Sequence, residues 1–170
     1  MEGIEYYICQ IRLDDREHTV LWYAGDPDGV YCQRPDSPSI FASEDDARRF
    51  CGKFGLRICD DESTYYDLDR CLAWCDNLEI DRPHPTKLLG DWNILADLLP
   101  EHRRSEALRA LEHTCSGLYE KIFWTSNVMA NLTGTQQQSA TWTPAELKQT
   151  ANYFTRAIAE LREFWQTTKP

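Results

Sequence analysis

Basic charge is in deficit in this 170-residue chain: 18 Lys and Arg stand against 28 Asp and Glu, a formal net charge of −10. A surface of that sign repels nucleic acid and anionic membrane, and it attracts a basic protein. Glycine is sparse as well. Gly25, Gly29, Gly52, Gly55, Gly90, Gly117 and Gly134 never group into the backbone cradle of a phosphate-binding loop, so nucleotide binding has no support. The four histidines, His18, His84, His102 and His113, sit in no recognisable nucleophile or base motif. No stretch approaches the roughly 20 apolar residues of a membrane span. Met1–Glu5 lacks the basic region and apolar run of a signal peptide. The seven cysteines (Cys9, Cys32, Cys51, Cys59, Cys71, Cys75, Cys115) are odd in number and lack the tight rhythm of a secreted scaffold. They read as reduced thiols, and the cytoplasm is the expected compartment.

What the chain does have is core-forming material. It is 42% hydrophobic with six Trp and eight Tyr, too apolar for a disordered acidic tail. The acidity is therefore expected on a folded surface, and the length suits a single domain over 1–170. The charge is unevenly spread. Residues 1–100 hold 21 acids against 10 bases, whereas residues 101–170 hold 7 against 8. It is densest from Asp60 to Asp97, where ten acids face only Arg70, Arg82 and Lys87.

Residues 1–59 read mainly as strands with one helix. Runs Ile4–Leu13, Thr19–Ala24, Val30–Gln33 and Ser39–Ala42 are β-rich, with Asp14–Glu17 and Gly25–Gly29 as turns between the first three. The alternation in the first run slips near Cys9 and Gln10, which predicts either a bulge or a strand covered on both faces. Ser43 is a natural N-cap, followed by Glu44, Asp45 and Asp46 where the helix dipole favours negative charge. That helix ends near Gly52 or Gly55, and Leu56–Cys59 returns as a strand.

Residues 64–167 read mainly as helices. A helix from Thr64 would bury Leu68, Cys71, Leu72, Cys75 and Leu78 and present Asp67, Arg70, Trp74 and Asn77 outward. Thr86–Leu99 and Ser105–Trp124 follow, with Gly117 a weak point in the latter. Thr143-Pro144-Ala145-Glu146 carries a capping box that opens the last helix. The predicted fold is α+β: an N-terminal antiparallel sheet of about five strands with one inserted helix, then about four helices packed on the sheet.

Three constellations invite a chemical reading. Cys71 and Cys75, at i and i+4, would offer a metal two thiolates, with His84 or Cys59 as further ligands. The second cysteine pair of a structural zinc site is missing, and two small apolar residues on a buried stripe are the plainer reading. The carboxylates of Asp60-Asp61-Glu62 and Asp67/Asp69 show neither the glycine turn of a calcium loop nor the burial that splits a catalytic pair. No cofactor, no metal and no catalytic activity are expected. The third is aromatics interleaved with acids. A partner-binding face is expected at Asp60, Asp61, Glu62, Tyr66, Asp67, Asp69, Arg70, Trp74, Asp76 and Asp81, since interfaces favour Trp and Tyr as anchors and charge for register.

Tyr66-Asp67-Leu68-Asp69, Leu72-Ala73-Trp74-Cys75 and Leu88-Leu89-Gly90-Asp91-Trp92-Asn93-Ile94-Leu95-Ala96-Asp97-Leu98 together resemble a pattern in small bacterial immunity proteins. Those proteins belong to contact-dependent growth inhibition and other polymorphic toxin systems. The resemblance spans about the first hundred residues. It implies a protein that neutralises a cognate toxin domain by direct binding, and many such toxins are nucleases. The charge adds that the toxin domain would be basic. Two other readings stay open: an acidic nucleic-acid mimic that blocks a DNA-binding protein, and a small hydrolase using His84 or His113.

Overall fold

The first strand holds the sequence's own answer to its broken alternation. In the computed structural model, which describes residues 4–34, 37–59, 63–79, 82–126, 134 and 141–167, β1 (Glu5–Leu13) pairs without interruption with β2 (Arg16–Ala24), from Glu5 opposite Ala24 to Leu13 opposite Arg16. There is no bulge. Ile8 and Cys9 are both buried, so β1 is covered on both faces and needs apolar residues at odd and even positions alike.

The chain divides into two compact units, Met1–Asp69 and Arg70–Pro170. In the first, β3 (Gly29–Val30) adds antiparallel to β2, while β4 (Cys32–Arg34) and β5 (Ser37–Pro38) form a separate two-stranded ribbon. Ser39–Ala42 is not a strand; it makes a single bridge, Phe41 to Thr19. α1 (Glu44–Phe54) is capped by the Ser43 side chain, which accepts the Asp46 N–H, and it ends at Gly55 with φ of 65°, a left-handed position that suits glycine. The sheet is mixed where an antiparallel one was expected. A helical crossover returns the chain in the direction it left, so β6 (Arg57–Ile58) and β7 (Thr64–Asp67) lie parallel to β1. α1 packs Ala47 and Cys51 on Tyr6, Ile8 and Leu21, and rings of Tyr23, Tyr31, Phe41 and Phe50 border that core.

α2 (Leu68–Asp76) starts four residues later than expected, because Thr64–Asp67 is taken by β7. α3 (Pro85–Leu98) is buried almost all round. After a 3-10 turn at Glu101–Arg103, the expected single helix is two: α4 (Glu106–Thr114) and α5 (Ser116–Thr125), broken at Cys115. α6 (Pro144–Thr167) completes the second unit. Its core is aromatic. Trp92 of α3 stacks on Tyr153 of α6 at 3.7 Å between centroids, and Phe154 and Tyr119 meet it edge-on. Burial pushes the Tyr153 phenol well above its ordinary range. Among the described residues no helix is long and apolar enough to cross a membrane.

Candidate partner-binding surface

The unit boundary locates the acidity. Residues 1–69 hold 16 acids and 7 bases, whereas residues 70–170 hold 12 and 11. The excess belongs almost entirely to the sheet-containing unit.

Part of it, Asp14, Asp15, Glu17, Asp67 and Asp69 with Arg12 and exposed Arg16, lies at the β1–β2 hairpin end. A two-residue turn, Asp14-Asp15, joins the strands, and both residues have positive φ, 56° and 55°. A tight turn of this kind matches the twist of the strands but normally uses Asn-Gly. Here a carboxylate from outside the hairpin holds it: the N–H groups of Asp14 and Asp15 donate to the two oxygens of Asp69, at 2.8 and 2.9 Å. Arg12 stands at the centre. It lies opposite Glu17 on β2 and opposite Asp67 on β7. It donates to Asp15 at 2.8 Å and lies 3.5 Å from Asp69. Hydrogen bonds to Asp15 and Tyr65 raise its pKa further, so it stays a cation at every accessible pH.

The N-terminus of α1 adjoins this end. Gln10, two residues before Arg12 on the same face of β1, donates to Glu44 at 3.4 Å, and the Thr19–Phe41 bridge brings the chain leading into Ser43 alongside β2. Glu44 and Asp46 are engaged by Arg48 and Arg49, one turn along α1. Ser43 and Arg49 hold the Asp46 carboxyl below its usual range. Exposed Glu17 and Asp45 form no ion pair among the described residues. The result is an acidic end built on the sheet, with exposed Glu17 and Asp45 placed to meet lysine or arginine side chains.

The same unit exposes apolar area. Ile40 is 41% and Phe54 56% accessible. Phe54 lies tilted against Phe50, which in turn meets Phe41, and the Lys53 ammonium lies over the Phe54 ring.

Of the predicted interface residues, Asp60, Asp61, Glu62 and Asp81 lie outside the described residues. Asp67 and Asp69 are brought together around Arg12. Tyr66, half-buried on β7, lies opposite Ile11. Arg70 and Asp76 are exposed on α2. Trp74 is not an outward anchor: it is 1% exposed and belongs to the core. The buried stripe of α2 runs Leu68, Cys71, Trp74, rotated from the expected one so that the largest side chain goes inward. Asp14, Asp15 and Glu17 were readable only as turn residues, and nothing local to them announces Asp69.

Among the described residues no three His, Cys, Asp or Glu side chains are placed to hold a metal ion. Cys71 is buried and Cys75 half-buried, and none of the seven cysteines is in a disulfide. His84 caps α3, its Nδ1 accepting the Thr86 N–H at 3.3 Å. His113 is exposed in the last turn of α4. No protein-family model, curated protein or solved structure matches this chain.

Proposed function

We propose that this chain is an immunity protein that neutralises a basic toxin domain by binding it directly, and that the acidic hairpin end of the sheet-containing unit makes the contact. The observation that carries this reading is the crowding of Asp14, Asp15, Glu17, Asp67 and Asp69 around Arg12, next to the acidic start of α1. An unbalanced field of that kind steers a cationic partner into place, and exposed Ile40, beside the Phe41–Thr19 bridge, supplies apolar area that slows its departure. The chain itself performs no chemistry in this scheme; its effect is to cover the partner.

Co-expression with the product of the adjacent gene, followed by purification and a salt series, tests the proposal. The two proteins should co-purify, and the association rate should fall steeply with ionic strength. Reversing Asp14 and Glu17 to lysine should slow association at least ~10-fold. Reversing Asp26 and Asp28, in the β2–β3 turn at the far end of β2, should have a much smaller effect. A neighbour that is neither toxic nor bound defeats the reading. Equal loss from both double reversals would instead favour a diffuse polyanion that mimics nucleic acid.

A further inference from the structure

We propose that the outward face of α1 is a self-association surface, on which a second copy of this chain docks its own α1 antiparallel, across a two-fold axis near Arg49. On a helix that buries Ala47 and Cys51, the exposed residues Asp45, Arg49, Gly52 and Lys53 share the opposite side. Asp45 stands in the first turn and Lys53 in the last, about 12 Å along the helix. Among the described residues neither forms an ion pair.

An acid at one end of a face and a base at the other make that face complementary to itself. When two such helices lie antiparallel, Asp45 of each copy meets Lys53 of the other, and both pairs form at once, as a two-fold interface requires. Parallel helices would instead set Asp45 against Asp45. Arg49 lies at the axis, its charge already met by Asp46 on its own helix.

Gly52 is an independent sign of close approach. It is exposed within the helix, its φ is not left-handed, and a Cβ there would meet nothing within 4 Å. The fold itself does not require glycine at this position, and glycine is among the poorest helix formers. A missing side chain on an outward face lets another backbone come near. In the antiparallel arrangement Gly52 lies opposite Asp46 of the other copy.

The 11 residues of α1 span only about 16 Å, so the contact is small and the association weak and concentration-dependent. It needs no toxin and does not depend on the immunity reading, although it engages Asp45, one carboxylate of the acidic end.

Sedimentation velocity of the purified chain over a concentration series tests this, at about 0.15 M salt, where the net charge of −10 on each copy is screened beyond about 8 Å. Wild type should show a monomer–dimer equilibrium. Asp45→Lys and Lys53→Asp should each stay monomeric, since each sets like charges against one another twice. An equimolar mixture of the two variants should form dimers again, because both pairs are then opposite in charge. Gly52→Gln should weaken the dimer several-fold while the protein melts no earlier than wild type, since the added side chain has open space in the monomer and favours helix. Wild type that is monomeric throughout, a mixture that fails to associate, or dimers that survive both reversals overturn the proposal. Species that grow beyond a dimer would show an open head-to-tail contact and overturn it too.

Discussion

The carboxylate of Asp69 accepts the backbone N–H of Asp15 at 2.9 Å, across 54 residues of chain. With its other oxygen on the Asp14 N–H, this one side chain satisfies both donors of a turn that its own residues are poorly suited to form. Removing it in Asp69→Ala should cost about 1–2 kcal/mol in urea denaturation. The amides of Asp14 and Asp15 should then exchange faster with solvent, while Asp69→Asn, which keeps one acceptor oxygen, should lie between. Unchanged exchange at both amides in Asp69→Ala would show that the turn holds itself.

The same turn allows stability and binding to be moved in opposite directions. Asn-Gly is the sequence that accepts two left-handed residues most readily, so Asp14→Asn combined with Asp15→Gly should stabilise the protein by about 1 kcal/mol. It also removes two exposed carboxylates from the proposed contact surface. A variant that melts later yet binds its partner more slowly would separate the two roles. If binding is undiminished, the hairpin end is not the surface.

Trp74 gives a contrasting case, because its importance is to folding. Its indole is 1% exposed, and its Nε1–H has no hydrogen-bond partner among the described residues. Trp74→Ala should therefore cost about 3–5 kcal/mol through the cavity it leaves. Trp74→Phe should cost far less than that, since losing an unpaired buried N–H offsets part of the lost packing. Both are read by chemical denaturation. A Trp74→Ala protein as stable as wild type would return the residue to the surface.

These cases show what local sequence carries and what it does not. The capping box was legible because its partners are three residues apart: the Thr143 N–H donates to Glu146 at 2.8 Å, and the Glu146 N–H to Thr143 at 3.2 Å. The Ser43 cap and the Gly55 stop were legible for the same reason. The α+β order followed from the change of hydrophobic period near residue 64. The phase of α2 did not. β7 claims Thr64–Asp67 through pairing with β1, some 55 residues earlier, and α2 buries Trp74 along with Leu68 and Cys71. The acidic surface was half legible. Asp67 and Asp69 were identified by composition, but Asp14, Asp15 and Glu17 join them only through strand register and a long-range carboxylate bond. Charge totals register how much acid a segment holds, and only pairing tells which acids share an end of a sheet.

Glu146 links the start of α6 to acid stability. Its carboxylate receives the Lys121 ammonium at 2.7 Å and the Thr143 N–H at 2.8 Å, and these partners, Lys121 foremost, lower its pKa from an ordinary 4.5 to about 2. A carboxyl whose folded pKa is depressed stabilises the fold above its unfolded pKa, and that contribution is lost as pH falls through the folded value. Wild type should therefore be more stable than Glu146→Gln at neutral pH, with the gap closing between about pH 4.5 and pH 2. Denaturation curves for both proteins across that window make the comparison. The Lys121 ammonium also donates to the Thr141 carbonyl at 2.7 Å and lies 4.9 Å from the centre of the Trp142 ring. Trp142 fluorescence should accordingly change over the same pH range in wild type and not in Glu146→Gln. A constant gap in stability from pH 7 to pH 2 would mean that the glutamate acts through its shape and backbone bonds alone.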